Sequence, residues 1–447
     1  MATTMEQAAT DAKAVEYPTV GGGLPVIGHL WQLMYAYPEL LVRGEKECGP
    51  LFWAIYGPGR PNLICMMPEA VDALESTSIS NRCLSEQMGD LFNGTIGVMD
   101  GPEHMRVRAI MTKPFTPSGI TAADFGKISR PLLEQMVDRW IKDGHAKVYA
   151  DCRDVALKVM FRMIGVKPDV FDIWRNKYIE YVKLLYGIPW DFPGSPKTVG
   201  LRAKDWIGVR LQKIIDTLAA DENDNSFTAR IARGADERGR RMSREEVLDN
   251  LRGLLFAGHD TSSGVFGWMV FYLAKYPQWW DKLVEEVAGF DEPPMTPKDM
   301  ANFPVTEALF REVIRLNPPA TMAMRTIESP IEVNGYPLPV GATINVPLIH
   351  HLRSPAKYDD PLSFRPERWL EEDERRTSAD VRMPFGFGPH FCVGYHMAWF
   401  EIIQFTVILG KALSAAGLRP HLVKNDLPKP VYFPLMHPKN DPVRFAP

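Results

Sequence analysis

The spacing of apolar residues changes character several times along this chain, and each change marks an element. A lead-in punctuated by proline and glycine, P-T-V-G-G-G-L-P-V-I-G-H-L at 18–30, gives way to two short apolar runs, L-F-W-A-I-Y and N-L-I-C-M-M, separated by G-P-G-R-P. Runs of that length with turn formers between them predict hairpin strands and a small sheet. From about residue 116 to 274 apolar positions recur three and four apart, the period of a helix. The best-defined helix opens where Ser243 and Glu246 have capping-box spacing, and its pattern runs through Val247, Leu248, Leu251, Leu254 and Leu255 until Pro277 stops it. Roughly thirty helical residues span about 45 Å, enough to cross a domain. A later helix, V-T-E-A-L-F-R-E-V-I-R-L, carries the stripe Val305, Leu309, Val313 and Leu316 and ends at N-P-P. Asn334-Gly335 between I-E-V and Y-P-L-P-V is a strong hairpin signal, and the proline-rich C-terminal region predicts loops and short strands. The pattern as a whole predicts a mainly α protein with small β-sheets, in the α+β class.

With 447 residues, 45% hydrophobic and 24% charged, the chain can bury a large core. No linker, low-complexity tract or repeat divides it, so one domain over 1–447 is expected, with 1–17 as a flexible tail. A net charge of -4 gives no reason to expect nucleic acid. Five cysteines, at 48, 65, 83, 152 and 392, are an odd number without a C-x-x-C pair, which argues for a reducing compartment. The longest apolar stretch, at 264–274, is about half a membrane span, and the polar N-terminus lacks a signal-peptide layout. A cytoplasmic monomer with no integral membrane segment is expected.

The candidate chemistry centres on F-G-F-G-P-H-F-C-V-G at 385–394, which presents Cys392 in a loop bracketed by Gly386, Gly388 and Gly394. Glycines let backbone N–H groups curl toward a sulfur, and the helical pattern that follows would bring a favourable dipole to a thiolate. His390, two residues earlier, is a candidate donor to a carboxylate. A lone cysteine is more commonly a small buried hydrophobe, and only the spacing around Cys392 argues otherwise. Within the long helix stands A-G-H-D-T-S at 257–262, where Gly258, Asp260 and Thr261 are all weak helix formers. That cluster predicts a local distortion in which the Thr261 hydroxyl leaves its helix partner and Asp260 feeds it protons.

The spacing at 385–394 resembles the signature F-x-x-G-x-[HR]-x-C-x-G of the cytochrome P-450 family, the heme-thiolate monooxygenases, at Phe385, Gly388, His390, Cys392 and Gly394. Ala398 and Glu401 match its continuation. The resemblance implies that Cys392 ligates the iron of heme b (iron protoporphyrin IX), beneath a long central helix. It implies that Asp260 and Thr261 deliver the protons that cleave O2. It also assigns Glu312, Arg315 and Arg368 to a structural charge network, and His104, Arg108, Arg325 and His390 to the heme propionates. The implied reaction inserts one oxygen atom from O2 into a C–H bond of a lipophilic molecule such as a fatty acid, steroid or terpenoid. Electrons derived from NAD(P)H would arrive through a ferredoxin and ferredoxin reductase, or a flavodoxin-type donor. The family's pocket walls map onto Met88, Leu91, Phe92, Val98, Tyr181, Leu185, Phe256, Ala257, Thr321, Met322, Met324 and Phe433. Two other classes compete. A zinc site at His390, Cys392 and His396 would lack a fourth ligand. A gas sensor using the same heme pocket would have no need of Asp260 with Thr261.

Overall fold

The computed structural model describes residues 16–186, 192–370 and 382–447; the expected tail at 1–17 lies almost wholly outside them. Helices dominate, and a five-stranded sheet sits at one side in the order Leu51–Ile55, Pro61–Cys65, Thr343–Val346, Ala323–Ile327, Ile79–Ser80. All its pairings are antiparallel except that of Pro61–Cys65 with Thr343–Val346. The Asn334-Gly335 turn joins Ile331–Val333 to Tyr336–Leu338 with φ of 50° and 79° at its two central residues, the left-handed pair that a two-residue hairpin needs.

The long helix runs without interruption from Arg244 to Lys275. Its N-terminus is closed as the sequence predicts: Ser243 Oγ accepts from Glu246 N at 3.1 Å while the Glu246 carboxylate accepts from Ser243 N at 2.7 Å. The expected distortion at 257–262 is absent. Gly258 is needed for packing, because a Cβ there would collide with Met160 Sδ on the adjacent helix Val148–Met163. The Thr261 hydroxyl keeps its helix partner, donating to Ala257 O at 2.6 Å.

A second buried helix, Tyr395–Ala415, follows Cys392 and packs against the long helix and against Phe125–Asp143. Among the described residues it is the one helix long and apolar enough to cross a membrane, yet 78% of its apolar window is buried inside the protein. It serves as a core element. Helix Pro304–Leu316 lies on it through Phe310 and Trp399, whose rings meet edge-on at 4.8 Å. Phe385 then packs on Tyr395 at 4.8 Å and on Trp399 at 6.1 Å, so the start of the cysteine loop rests on an aromatic platform.

Behind that platform, Glu312, Arg315 and Arg368 are all buried and in contact. Arg315 grips Glu312 through Nε and a terminal nitrogen at 2.9 and 2.8 Å, and Arg368 Nε reaches the same carboxylate at 3.2 Å. Trp369 Nε1 and the Arg365 N–H add two further donors, at 2.8 and 2.9 Å. The remaining Arg315 hydrogen bonds go to the carbonyls of Leu352, Pro361 and Ser363. Full pairing of this kind makes a buried charge tolerable, and loss of one member would leave another uncompensated.

Candidate active site

Several segments meet around one cavity of about 370 Å³, among them helix Arg82–Phe92 and the loop after it, helix Gly101–Thr112, helix Val148–Met163, the middle of the long helix, strand Ala323–Ile327, the cysteine loop and the start of helix Tyr395–Ala415. The loop takes its shape from left-handed Gly386 and Gly388, with φ of 88° and 51°, and from the Cys392 N–H, which donates to Phe385 O at 2.7 Å. Cys392 is thereby left open to the cavity although it lies deep in the molecule. Burial pushes its thiol pKa up, while the Gly394 N–H and the Arg108 charge pull it down. Burial is the larger effect and leaves the thiol pKa above its ordinary value; the Gly394 N–H and Arg108 are the two groups that favour the thiolate, the form that binds a metal.

Arg108 and Arg325 reach the same cavity, and burial pushes both guanidinium pKa values below the ordinary range. Among the described residues neither forms an ion pair with a carboxylate: Arg108 donates to Phe391 O, and Arg325 donates to Met324 O at 2.8 Å. His104 stands one layer behind, its ring stacked 4.2 Å from His390 and its buried Nε2 without a partner. Burial, helped by His390 and Arg108, pushes its pKa down to about 4. His390 lines the cavity with both ring nitrogens engaged, one donating to Asp100 Oδ1 at 3.1 Å and the other accepting from Asn81 Nδ2 at 3.0 Å. Asp100 in turn accepts from the Asn81 N–H at 2.7 Å. Burial would raise the Asp100 pKa, but the His390 and Asn81 hydrogen bonds outweigh it and hold the carboxyl below its usual range. Neither Asn81 nor Asp100 was singled out from the sequence.

This donor set fits a heme. An open sulfur faces a largely apolar cavity lined by the buried Arg325 and the half-buried Arg108, neither with a carboxylate partner among the described residues, a demand that a pair of propionates meets. Zinc fits less well, since no three His, Cys, Asp or Glu side chains among the described residues stand close enough to share a metal.

On the long helix, Thr261 lines the cavity and Asp260 does not. Asp260 turns outward to the half-exposed Arg153, 3.1 Å away, and touches His259 Nε2 at 3.3 Å. His259 is fully buried, bonded to the Tyr178 hydroxyl at 3.1 Å and pushed down to about 4 by that burial. A second acid takes the inward position. Glu401, on the helix behind Cys392, lines the cavity with Oε1 unpaired, and burial lifts its pKa to about 8 against the pull of the Ser262 hydroxyl. The sequence marked Glu401 as part of a pattern without giving it a role.

Of the expected substrate walls, Phe92 and Ala257 line the cavity. Phe256 packs edge-on to Phe92 at 5.1 Å without reaching it. Leu91 and Tyr181 are core residues, tied together by the Tyr181 hydroxyl donating to Leu91 O at 2.7 Å. Thr321 donates to Tyr432 O at 3.3 Å, and Met322 Sδ accepts from Asn345 Nδ2 at 3.2 Å. Met324 is buried, Leu185 and Phe433 pack against the core, and Met88 and Val98, half-buried, lie off the wall. Their places are taken by Leu84, Ile96, Met111, Phe115, Met160 and Leu254. Helical spacing leaves neighbouring apolar residues equally eligible, and one turn decides which face the cavity.

Comparison with known proteins identifies the family. The family model described as Cytochrome P450 matches residues 197–415. The chain is 32% identical over 423 residues to "Cytochrome P450 BJ-4" of Bradyrhizobium diazoefficiens, covering 95% of this chain and 94% of that protein. It is 30% identical over 454 residues to lanosterol 14-alpha demethylase of Rattus norvegicus, covering 97% and 88%. The solved structure of cyanobacterial CYP120A1 with retinoic acid bound superposes with a TM-score of 0.79 at 20% identity, over 96% of this chain and 99% of that one, and so shares its fold. The chain belongs to the cytochrome P450 family and is an oxidoreductase of the monooxygenase type.

Proposed function

We propose that this protein oxygenates a lipophilic small molecule of the fatty acid, steroid or terpenoid kind, drawing electrons from a separate redox protein. The observation that carries the reading is Cys392 Sγ open to a mostly apolar cavity that two guanidinium groups, without carboxylate partners among the described residues, also enter. Bound there, heme b supplies the activation of O2: two electrons and two protons convert O2 and a C–H bond into a hydroxyl and water. Cys392 would hold the iron as thiolate, with the Gly394 N–H and Arg108 favouring the charge. Arg108, Arg325 and the unpaired His104 Nε2 would take the propionates, while Asp100 and Asn81 orient His390.

Apolar side chains from helix Gly101–Thr112, the long helix and the loop at 92–97 exclude water and hold substrate by shape. Thr261 and Ser262 present hydroxyls on that wall. Protons reach them from Glu401 inside and from Asp260, whose pairing with Arg153 links the wall to the surface. The sterol substrate in the name of the rat relative and the retinoic acid bound by the cyanobacterial protein favour a bulky lipophile. The electron donor would be a ferredoxin with its reductase, or a flavodoxin-type protein.

The decisive measurement is the absorption of the reduced, CO-bound holoprotein. A strongly red-shifted Soret band, the sign of thiolate ligation, is expected, and Cys392→Ser should abolish it. An unshifted band in the parent, or one that survives the substitution, overturns the assignment.

A further inference from the structure

Thr95 is 3% exposed, lies on the cavity wall, and has a buried hydroxyl with no hydrogen-bond partner. Its surroundings explain why the side chain cannot turn away. The segment at 94–96 is stapled to the long helix by Asn250, whose Oδ1 accepts from Ile96 N at 2.9 Å and whose Nδ2 donates to Glu246 O at 2.8 Å. Thr95 O closes the following turn by accepting from the Val98 and Met99 N–H groups, both at 3.2 Å. The Thr95 methyl rests over Gly253, where a Cβ would stand 3.0 Å from Cγ2. Backbone and methyl are both clamped, and the hydroxyl alone is uncommitted.

A buried hydroxyl without a partner is costly, and such atoms are rare unless something else satisfies them. The cavity wall is largely apolar, with Phe92, Ile96, Leu254 and Ala257 among its residues, and the Asn250 amide that staples this segment is already engaged by Ile96 N and Glu246 O. A neutral hydroxyl also cannot offset the desolvation of a carboxylate. We propose that Thr95 Oγ1 is the polar anchor of the substrate pocket, and that the substrate is a lipophile bearing a neutral oxygen function, a hydroxyl or a carbonyl. This rests on the oxygenase reading above and narrows it: a bare hydrocarbon would leave the hydroxyl unpaired, and a free acid would bring a charge without its counterion. A site that hydrogen-bonds a ligand oxygen discriminates strongly against the analogue lacking it.

The test is a binding titration, read by the spin-state shift of holoprotein whose reduced CO band has first been recorded. The probes are matched sets of one carbon skeleton as hydrocarbon, alcohol, ketone and carboxylic acid, built on cyclododecane, androstane and a straight alkyl chain. The alcohol or ketone of at least one set should bind roughly tenfold or more tightly than its hydrocarbon, the worth of one well-made hydrogen bond. Thr95→Val, which keeps the shape and removes the unpaired hydroxyl, should erase that preference without weakening hydrocarbon binding or lowering thermal stability, and Thr95→Ser should restore it. Equal binding of hydrocarbon and ketone, a loss in Thr95→Val shared by all members, or tightest binding by the acid would each overturn the inference and leave the lipophile reading intact. A normal CO band with no ligand in any set would instead bring down the lipophile reading, and this inference with it.

Discussion

Glu401 is the residue whose chemistry departs furthest from its unfolded behaviour. It is 3% exposed, and burial lifts its pKa from 4.5 to about 8. The folded protein therefore keeps a proton that the unfolded chain releases across that interval. The stability this group contributes is fully present below about pH 4.5 and is lost as pH rises toward 8. Glu401→Gln, neutral throughout, should match the parent in acid and exceed it by about 5 kcal/mol at most above pH 9. Urea unfolding of both proteins across that range checks this, and parallel pH slopes would sink it. Cys392, His390 and Arg108 are named through the resemblance, which reads short spacings: a ten-residue loop, and the i, i+4 pair His104 and Arg108 on one helix. Glu401, Thr95, Asn81 and Asp100 could not be picked. Their significance lies in what surrounds them, and His390 meets Asn81 across 309 positions of chain.

At the scale of the element, the long helix shows how weak helix formers can be absorbed without a kink. Gly258 admits Met160, Asp260 reaches Arg153, and Thr261 bonds back to Ala257 O. Propensity alone argued for distortion, and tertiary contact overrode it. Because Met160 also lines the cavity, Gly258→Ala should push that side chain inward. The gain in helix propensity, about 1 kcal/mol, would be offset by overpacking of about 1–3 kcal/mol. Bulky ligands should then bind several-fold more weakly, with adding Met160→Ala restoring the space. Ligand titrations of the single and double variants decide this, and unaltered affinity in Gly258→Ala would show that the wall yields elsewhere. The limits of the long helix and the turn at Asn334-Gly335 were legible beforehand, since a capping box, a terminating proline and a left-handed turn pair are written in adjacent residues.

Across the whole molecule the sequence was legible in its periods and opaque in its long-range pairings. Nothing local indicates that Pro61–Cys65 lies parallel to Thr343–Val346, or that Arg368 joins Glu312. The family resemblance supplied the second of these and left the strand pairing unread. Hydropathy was most ambiguous at Tyr395–Ala415, a bilayer-length apolar helix that the folded protein encloses on nearly every side. Denaturation releases that helix as a sticky strip about 30 Å long. Renaturation by dilution should then lose material to clumping faster than in proportion to protein concentration, and a mild detergent present at the moment of dilution should rescue the yield, as light scattering and recovered pigment would record. Whoever prepares this protein from inclusion bodies will be handling something that behaves for those seconds like a membrane polypeptide.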